Sequence, residues 1–462
     1  MSAFEIESGE IVHCIELSSD GKLTGTFEFD QDGIRTKIYG YEKFFFIKPE
    51  EPIFLLTEKN LIVSLHSNIA APPGSRSRMS EPARTVYRQD IVSNIAVIGH
   101  DEWSAADSVK RASFTVKHTK DLFRHQAKTE AIAKRETSTQ DDFNLYSEPV
   151  SGMTVCAGYN ASHSMEFDAP TDIWPRFELE FNDGATLDDY IDHVGCYVQF
   201  LSFSLGVPLI PSEIRISRHS HDEMMAKLED DSYPEDHTVN YVWPEVEVDT
   251  RDLWVGGSPV RAWDDDELSA LRQCVVSWMA RHSEWHNAYV LMMASLTLKR
   301  EISANRLIAA CKWFEKIPLT KVQNAITNKH IDAIASAAAD KAGELGYKAD
   351  MKSRIAGSLK TIRTESHEDR FSRLVKLVRH KFGQSILPEG VVAHLRHAIR
   401  LRGKTAHGHF YPADDAEFRA FSKSVGAMEA ICYLLTALEL PIHEDGLKRV
   451  QSNPVVRDYL RA

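Results

Sequence analysis

Residues 390–411 read GVVAHLRHAIRLRGKTAHGHFY, and the run Arg402-Gly403-Lys404-Thr405-Ala406-His407 lies inside them. Val392, Leu395, Ile399 and Ala406 recur at helical spacing, so the segment predicts an amphipathic helix whose apolar stripe passes through position 402. An arginine on a core-facing stripe is costly unless a partner or a ligand meets it. His407 follows, about 7.5 Å further along a helix and roughly 140° round it, a gap that an arginine side chain spans. Arginine offers a planar fork of donors that matches phosphate, and histidine gives or takes a proton near neutral pH. Together they suit phosphodiester chemistry that needs no metal.

Outward from this helix the pattern stays helical. Leu387-Pro388 introduces it, with proline near the first turn, and the loop GHFYPADD leads on to Asp415 as N-cap of a last long helix. Phe418, Phe421, Val425, Met428, Cys432 and Leu435 mark that helix as core or dimer surface. Upstream, Asp264-Asp265-Asp266 opens a helix through Leu268, Leu271, Val275 and Met279. Helices are expected next over 289–314 and 331–345, then a basic helical segment over 352–382. Val455 to Leu460 reads as a short C-terminal helix or tail.

The N-terminal half has a different period. EIVHCIEL, LTGTFEFD, IRTKIYGY, FFFIKP and LIVSLHS alternate between turn signals at Asp20-Gly21 and Asp32-Gly33, the mark of antiparallel hairpins. Residues 70–84 read as a loop, IVSNIAVIG and ASFTVKH as further strands, and 123–136 as either helix or loop. GMTVCAGY, HSMEFD, RFELEF, EIRISR and VNYVWPEVEV are strands too, with a turn at Asn182-Asp183-Gly184. Among them Leu187 to Leu205 is a strong helix, with Thr186 as N-cap, Gly206 at its C-terminal end and Pro208 beyond. The fold class is therefore α+β: a β-rich N-terminal domain over 1–261, then an all-α helical bundle over 262–462.

The 462 residues have the composition of a soluble globular protein, with no run of eighteen apolar residues and no signal-peptide pattern, so a cytoplasmic, membrane-free protein is expected. Six cysteines stand singly, which reads as reduced thiols rather than zinc ligands or a redox pair. The net charge is −13, yet residues 351–404 hold thirteen Lys or Arg against four acids, a net +9 that leaves −22 elsewhere. A basic segment beside Arg402 is what an RNA-binding cleft in an acidic protein needs, although a solvated helical face gives the same count.

Arg-x4-His near the end of a penultimate helix, followed by Gly408, a loop and a last apolar helix, resembles the signature of HEPN domains. The flanks LRHAIRLRGKTAHGHF resemble the Apea-like branch, and the β-rich region resembles the N-terminal domain of ApeA-type abortive-infection proteins. The resemblance implies a metal-independent endoribonuclease without cofactor, in which Arg402 and His407 from two protomers line one cleft. It further implies a homodimer through the C-terminal domain, RNA as substrate with tRNA among the candidates, products with 2′,3′-cyclic phosphate and 5′-hydroxyl ends, and a phage-derived trigger sensed by the β-rich domain. Glu315 falls where related domains carry an acid that steadies the motif arginine. Arg400 and Lys404 point off the stripe and, with Arg396 and His409, make up the expected RNA-binding set. Gly403 departs from the family, which usually has a polar residue, commonly Asn, after the arginine. A non-catalytic RNA- or nucleotide-binding dimerisation module is the alternative.

Other histidines carry less. His219 and His221, with Asp222 and Glu223, read as an exposed charged loop. His282 and His286 lack the glutamate placement of a zinc protease helix and read as surface residues, as do His394 and His397. No phosphate-cradling glycine motif is present in the sequence.

Overall fold

A computed structural model of the protein describes residues 11–14, 24–30, 33–40, 51–57, 59–70, 77–78, 85–137, 139–162, 171–230, 234–243, 248, 253–301, 303–361, 363–405 and 414–461. The chain is α+β. The strands are β1 (Ile11–Cys14), β2 (Thr24–Asp30), β3 (Gly33–Gly40), β4 (Ile53–Thr57), β5 (Ile62–His66), β6 (Ile69–Ala70), β7 (Ser77–Arg78), β8 (Thr85–Ser93), β9 (Ile95–Gly99), β10 (Val109–Val116), β11 (Asn144–Val150), β12 (Met153–Ser162), β13 (Asp172–Ala185), β14 (Pro211–Ser217) and β15 (His237–Tyr241). Interspersed helices are α1 (Gln126–Ala133), α2 (Leu187–Leu205) and α3 (His221–Glu229). After them come α4 (Asp265–Ala280), α5 (His282–Thr297), α6 (Ala304–Lys316), α7 (Asn328–Glu344), α8 (Ala349–Thr361), α9 (His367–Phe382), α10 (Val391–Thr405), α11 (Asp415–Leu438), α12 (Glu444–Arg449) and α13 (Pro454–Arg461).

Contacts divide the chain into two units that interleave in sequence, where a single cut at 261/262 was expected. One holds residues 1–198, 209–247 and 262–268; the other holds 199–208, 248–261 and 269–462. Helix α2 changes over after Val198.

In the first unit every pairing is antiparallel, in the order β11-β12-β13-β10-β14-β15-β9-β5-β4-β1-β2-β3-β8-β6, with β7 on β8. Only Asn94 separates β8 from β9, so the run from β9 through β5, β4, β1, β2 and β3 to β8 ends on the stretch of chain where it began and closes on itself. Its inward positions, Ile34, Ile53, Leu55, Val63, Leu65, Ile91, Ala96 and Ile98, share one core. Buried Asn68 secures the closure: its amide donates to the Leu65 carbonyl at 3.1 Å and its oxygen accepts from the Ser93 hydroxyl at 2.6 Å.

The other arm of the sheet is built on β12 and β13, paired from Met153↔Phe181 to Ser162↔Asp172. Tyr197 of α2 packs on Phe177 at 5.1 Å and Phe114 at 5.8 Å, and its hydroxyl hydrogen-bonds that of Tyr146. Thr186 caps α2, accepting from the Asp189 amide at 3.1 Å, and Gly206 follows it at φ 68°.

Several readings need correction. The Asn182-Asp183-Gly184 turn lies within β13, because Gly184 takes φ 78° and Ala185 pairs with Val109. The segment opened by His219 is helical from His221: Ser220 accepts from the Glu223 amide while the Glu223 side chain accepts from Ser220, a capping box. Residues 126–133, whose sequence fits helix or loop, form α1. Strand β4 went unread. FFFIKP, HSMEFD and the Asp20-Gly21 turn lie outside the described residues.

The second unit is organised on α11, buried without a break from Ser424 to Ala437 and so enclosed rather than striped. Helices α6, α9, α10 and α13 pack on it. An aromatic stack fixes its neighbours: Phe203 lies on Tyr433 at 4.6 Å and against Trp278 at 5.2 Å, and Trp278 stacks on Tyr289 at 3.9 Å. The expected helix over 289–314 is two helices, α5 and α6, because Ser303 caps α6, accepting from the Arg306 amide at 3.3 Å. Asp414, not Asp415, is the N-cap of α11. His282 is buried, its ring 5.2 Å from that of His286, rather than on the surface. No helix among the described residues is long and apolar enough to cross a membrane.

Candidate functional site

Helix α10 packs on α11, α6 and α9, and its buried positions are Val391, Leu395, Ala398, Leu401 and Thr405. The stripe is rotated by one position from the one read in the sequence, which ran through Val392 and Ile399. Arg402 therefore sits at the stripe's edge, with its side chain 31% exposed.

What meets Arg402 is Glu315, on the last turn of α6. Nη1 and Nη2 donate to Oε1 and Oε2, the second bond at 3.2 Å. The pairing holds the guanidinium charged, its pKa raised by the Glu315 hydrogen bond. Two of five N–H donors are engaged by Glu315, so the fork is oriented while donors remain for a ligand. Behind the pair lies Cys311, whose thiol burial pushes up to about 12; it is a packed side chain and not a nucleophile.

The remaining residues singled out in the sequence divide. His407 and His409 lie outside the described residues. Arg400 and Lys404 are exposed on α10. Arg396 forms an exposed ion pair with Glu368 at 2.9 Å. His394 and His397 are half-buried rather than on the surface. His394 meets the Tyr459 hydroxyl at 3.1 Å. The Ser424 hydroxyl donates to the Ala420 carbonyl at 2.7 Å, so His397 Nδ1, 2.8 Å from it, is the donor to that oxygen.

Much of the basic segment is engaged internally. Lys381 donates to the Leu440 carbonyl at 2.8 Å and to that of Leu438, closing the end of α11. Arg379 donates to the Leu387 carbonyl at 3.0 Å, and Lys360 pairs with Asp332 at 3.0 Å. On α9, Arg373 donates to Glu365 at 2.6 and 3.0 Å, which holds that carboxyl below its usual range. Arg370, one turn earlier, lies over the buried Phe314 ring at 4.8 Å, within the field of the Glu315 carboxylate. The sequence counted Arg370 only as one charge among thirteen. Its signal was the Arg370/Arg373 pair at helical i, i+3 spacing.

Comparison of the chain with protein-family models, curated proteins and solved structures returned no match.

Proposed function

We propose that the protein is a metal-independent endoribonuclease of HEPN type, in which Arg402 and His407 act on one phosphodiester. The observation that carries the reading is Arg402 itself: half-exposed on the last turn of α10, oriented by Glu315, with donors to spare, five residues ahead of a histidine. His407 takes the proton of a ribose 2′-hydroxyl, and that oxygen attacks the adjacent phosphorus. The bond to the 5′ oxygen breaks, and a second imidazole or water protonates the leaving group. Arg402 neutralises charge growing on the non-bridging oxygens. The products are a 2′,3′-cyclic phosphate and a 5′-hydroxyl, and DNA, without the 2′-hydroxyl, is spared.

The reading extends to a cytoplasmic abortive-infection effector, a homodimer through the helical unit, with the β-rich unit as receiver of a phage-derived signal. Expression of wild type beside Arg402→Ala and His407→Ala, with growth and total RNA integrity as readouts, tests it. Loss of toxicity and of RNA fragments in both variants supports it; RNA cleavage that persists in His407→Ala, or that needs Mg²⁺, overturns it. A second reading, an RNA-binding module without catalysis, is favoured by Gly403 in the position where HEPN relatives carry a polar side chain. RNA bound and left intact by the wild type is its signature.

A further inference from the structure

Around Glu315, charge does not balance. Arg402 is bound to Glu315, and Arg373 to Glu365. The charges acting on Arg370 are those of Glu365, Arg373 and Glu315. Three guanidinium groups thus share two carboxylates. Among the described residues none accepts a hydrogen bond from the Arg370 side chain, whose Nε is buried without a partner. Burial lowers its pKa, the mark of a cation short of compensation. Its position is nevertheless held, because the guanidinium carbon lies over the Phe314 ring, 4.8 Å from its centroid, and that ring is braced by Phe371 at 5.3 Å. A cation held in position, partly dried and without an acceptor is built to receive an anion. Lys312 and Lys316, exposed on α6 on either side of Glu315, add to the positive field.

We propose that Arg370 is a phosphate-binding residue, seating a phosphodiester of an RNA strand beside Arg402 and completing the charge of the three-arginine, two-glutamate cluster. The inference rests on the ribonuclease reading for the identity of the strand, and on the geometry of α6, α9 and α10 for the seat. Arg370 is then a binding and positioning residue: its terminal nitrogens hold one phosphate of the strand and so set which bond lies at Arg402.

The test uses the full-length protein and a fluorescein-labelled, fully 2′-O-methylated RNA oligonucleotide, which lacks the attacking hydroxyl and cannot be cut by this route. Binding is measured by anisotropy over a range of salt for wild type, Arg370→Gln and Arg370→Lys. Cleavage of the unmodified oligonucleotide is followed in parallel. Arg370→Gln is expected to weaken binding about tenfold and to make the slope of log K against log salt shallower by about 0.7, one single-strand phosphate contact. Arg370→Lys keeps the charge without the fork, and so recovers the slope but only part of the affinity. If Arg370→Gln does not fold, the lysine variant decides: affinity equal to wild type overturns the proposal. Wild-type affinity and slope in a folded Arg370→Gln overturn it too, even where the wild type cleaves RNA. Loss of binding in Arg370→Gln beside a wild type that binds but never cleaves upholds the seat and overturns the nuclease. A wild type that does not bind the oligonucleotide overturns the seat.

Discussion

Arg306 of α6 donates to both oxygens of Glu429 of α11, at 2.8 Å from Nε and 2.7 Å from Nη2. Glu429 is 4% exposed, and the Ser295 hydroxyl donates to the same carboxylate at 3.3 Å. The pair ties the helix that carries Glu315 to the helix at the centre of the bundle. Glu429→Ala leaves a buried guanidinium unpaired and is expected to cost about 3–5 kcal/mol in urea unfolding, whereas the double change Arg306→Met with Glu429→Leu costs far less.

Gly206 tests the close of α2. Its φ is 68°, and a Cβ there would stand 2.4 Å from Asn453 Oδ1. Gly206→Ala combines the left-handed penalty of about 1–2 kcal/mol with displacement of that amide. Gly206→Ala in an Asn453→Ala background should be milder than in the wild type, and thermal midpoints of the four proteins measure the difference.

Gly403 is the opposite case. It lies in α10, exposed, and a Cβ there meets nothing within 4 Å. Gly403→Ala should therefore raise stability by roughly 0.5–1 kcal/mol. On the ribonuclease reading, Gly403→Asn restores the polar residue usual in the family without a clash. RNA cleavage at least equal to wild type is the expected outcome, and unfolding of Gly403→Asn would show that the position is not open.

His66 sets a pH dependence. Burial lowers its pKa to about 4, outweighing the Trp103 backbone hydrogen bond and the charges of Asp188 and Asp107, which act the other way. The unfolded chain takes up a proton there below about pH 6.5, while the folded chain does so only near pH 4. Between those values the unfolded state holds more protons, so stability falls as pH falls, by at most about 1.4 kcal/mol per pH unit. Urea midpoints of His66→Gln should vary less with pH over this window than those of wild type, and unchanged dependence would exclude His66 as the source.

Freeing Arg402 from its partner separates orientation from charge. On the ribonuclease reading, Arg402→Ala costs about 10²–10³-fold in kcat. Glu315→Ala leaves the guanidinium charged but unheld, and a smaller loss is expected, with KM for RNA falling because a negative charge has gone. Equal effects in the two variants would show that Glu315 does more than orient.

The outline of the fold was open to reading because period and length separate the halves. Runs such as IRTKIYG alternate on one side, whereas α2 was bounded correctly by Thr186, Gly206 and Pro208. What escaped depends on partners distant in sequence. Nothing local to residues 91–99 shows that a bend at Asn94 joins two pairings of one ring. The break between α5 and α6 was hidden because Leu, Met and Ala run up to it on one side and resume on the other. In the site, the Arg402 and Glu315 pairing could be suspected only from the family resemblance, and the stripe was misplaced by one residue, since Val391 and Val392 both fit it. Arg370 was lost in a charge count because burial and the missing acceptor are tertiary facts.

The joining of β8 and β9 through Asn94 also limits where this chain can be trimmed. β15 is held between β14 and β9, and with β9 it pairs from Thr238↔Ile98 to Tyr241↔Ile95. A fragment lacking residues 1–99 loses the whole ring and leaves β15 as a raw sheet margin, its backbone amides and carbonyls open to any other strand. Such a margin recruits neighbouring molecules, so that fragment should self-associate into insoluble material.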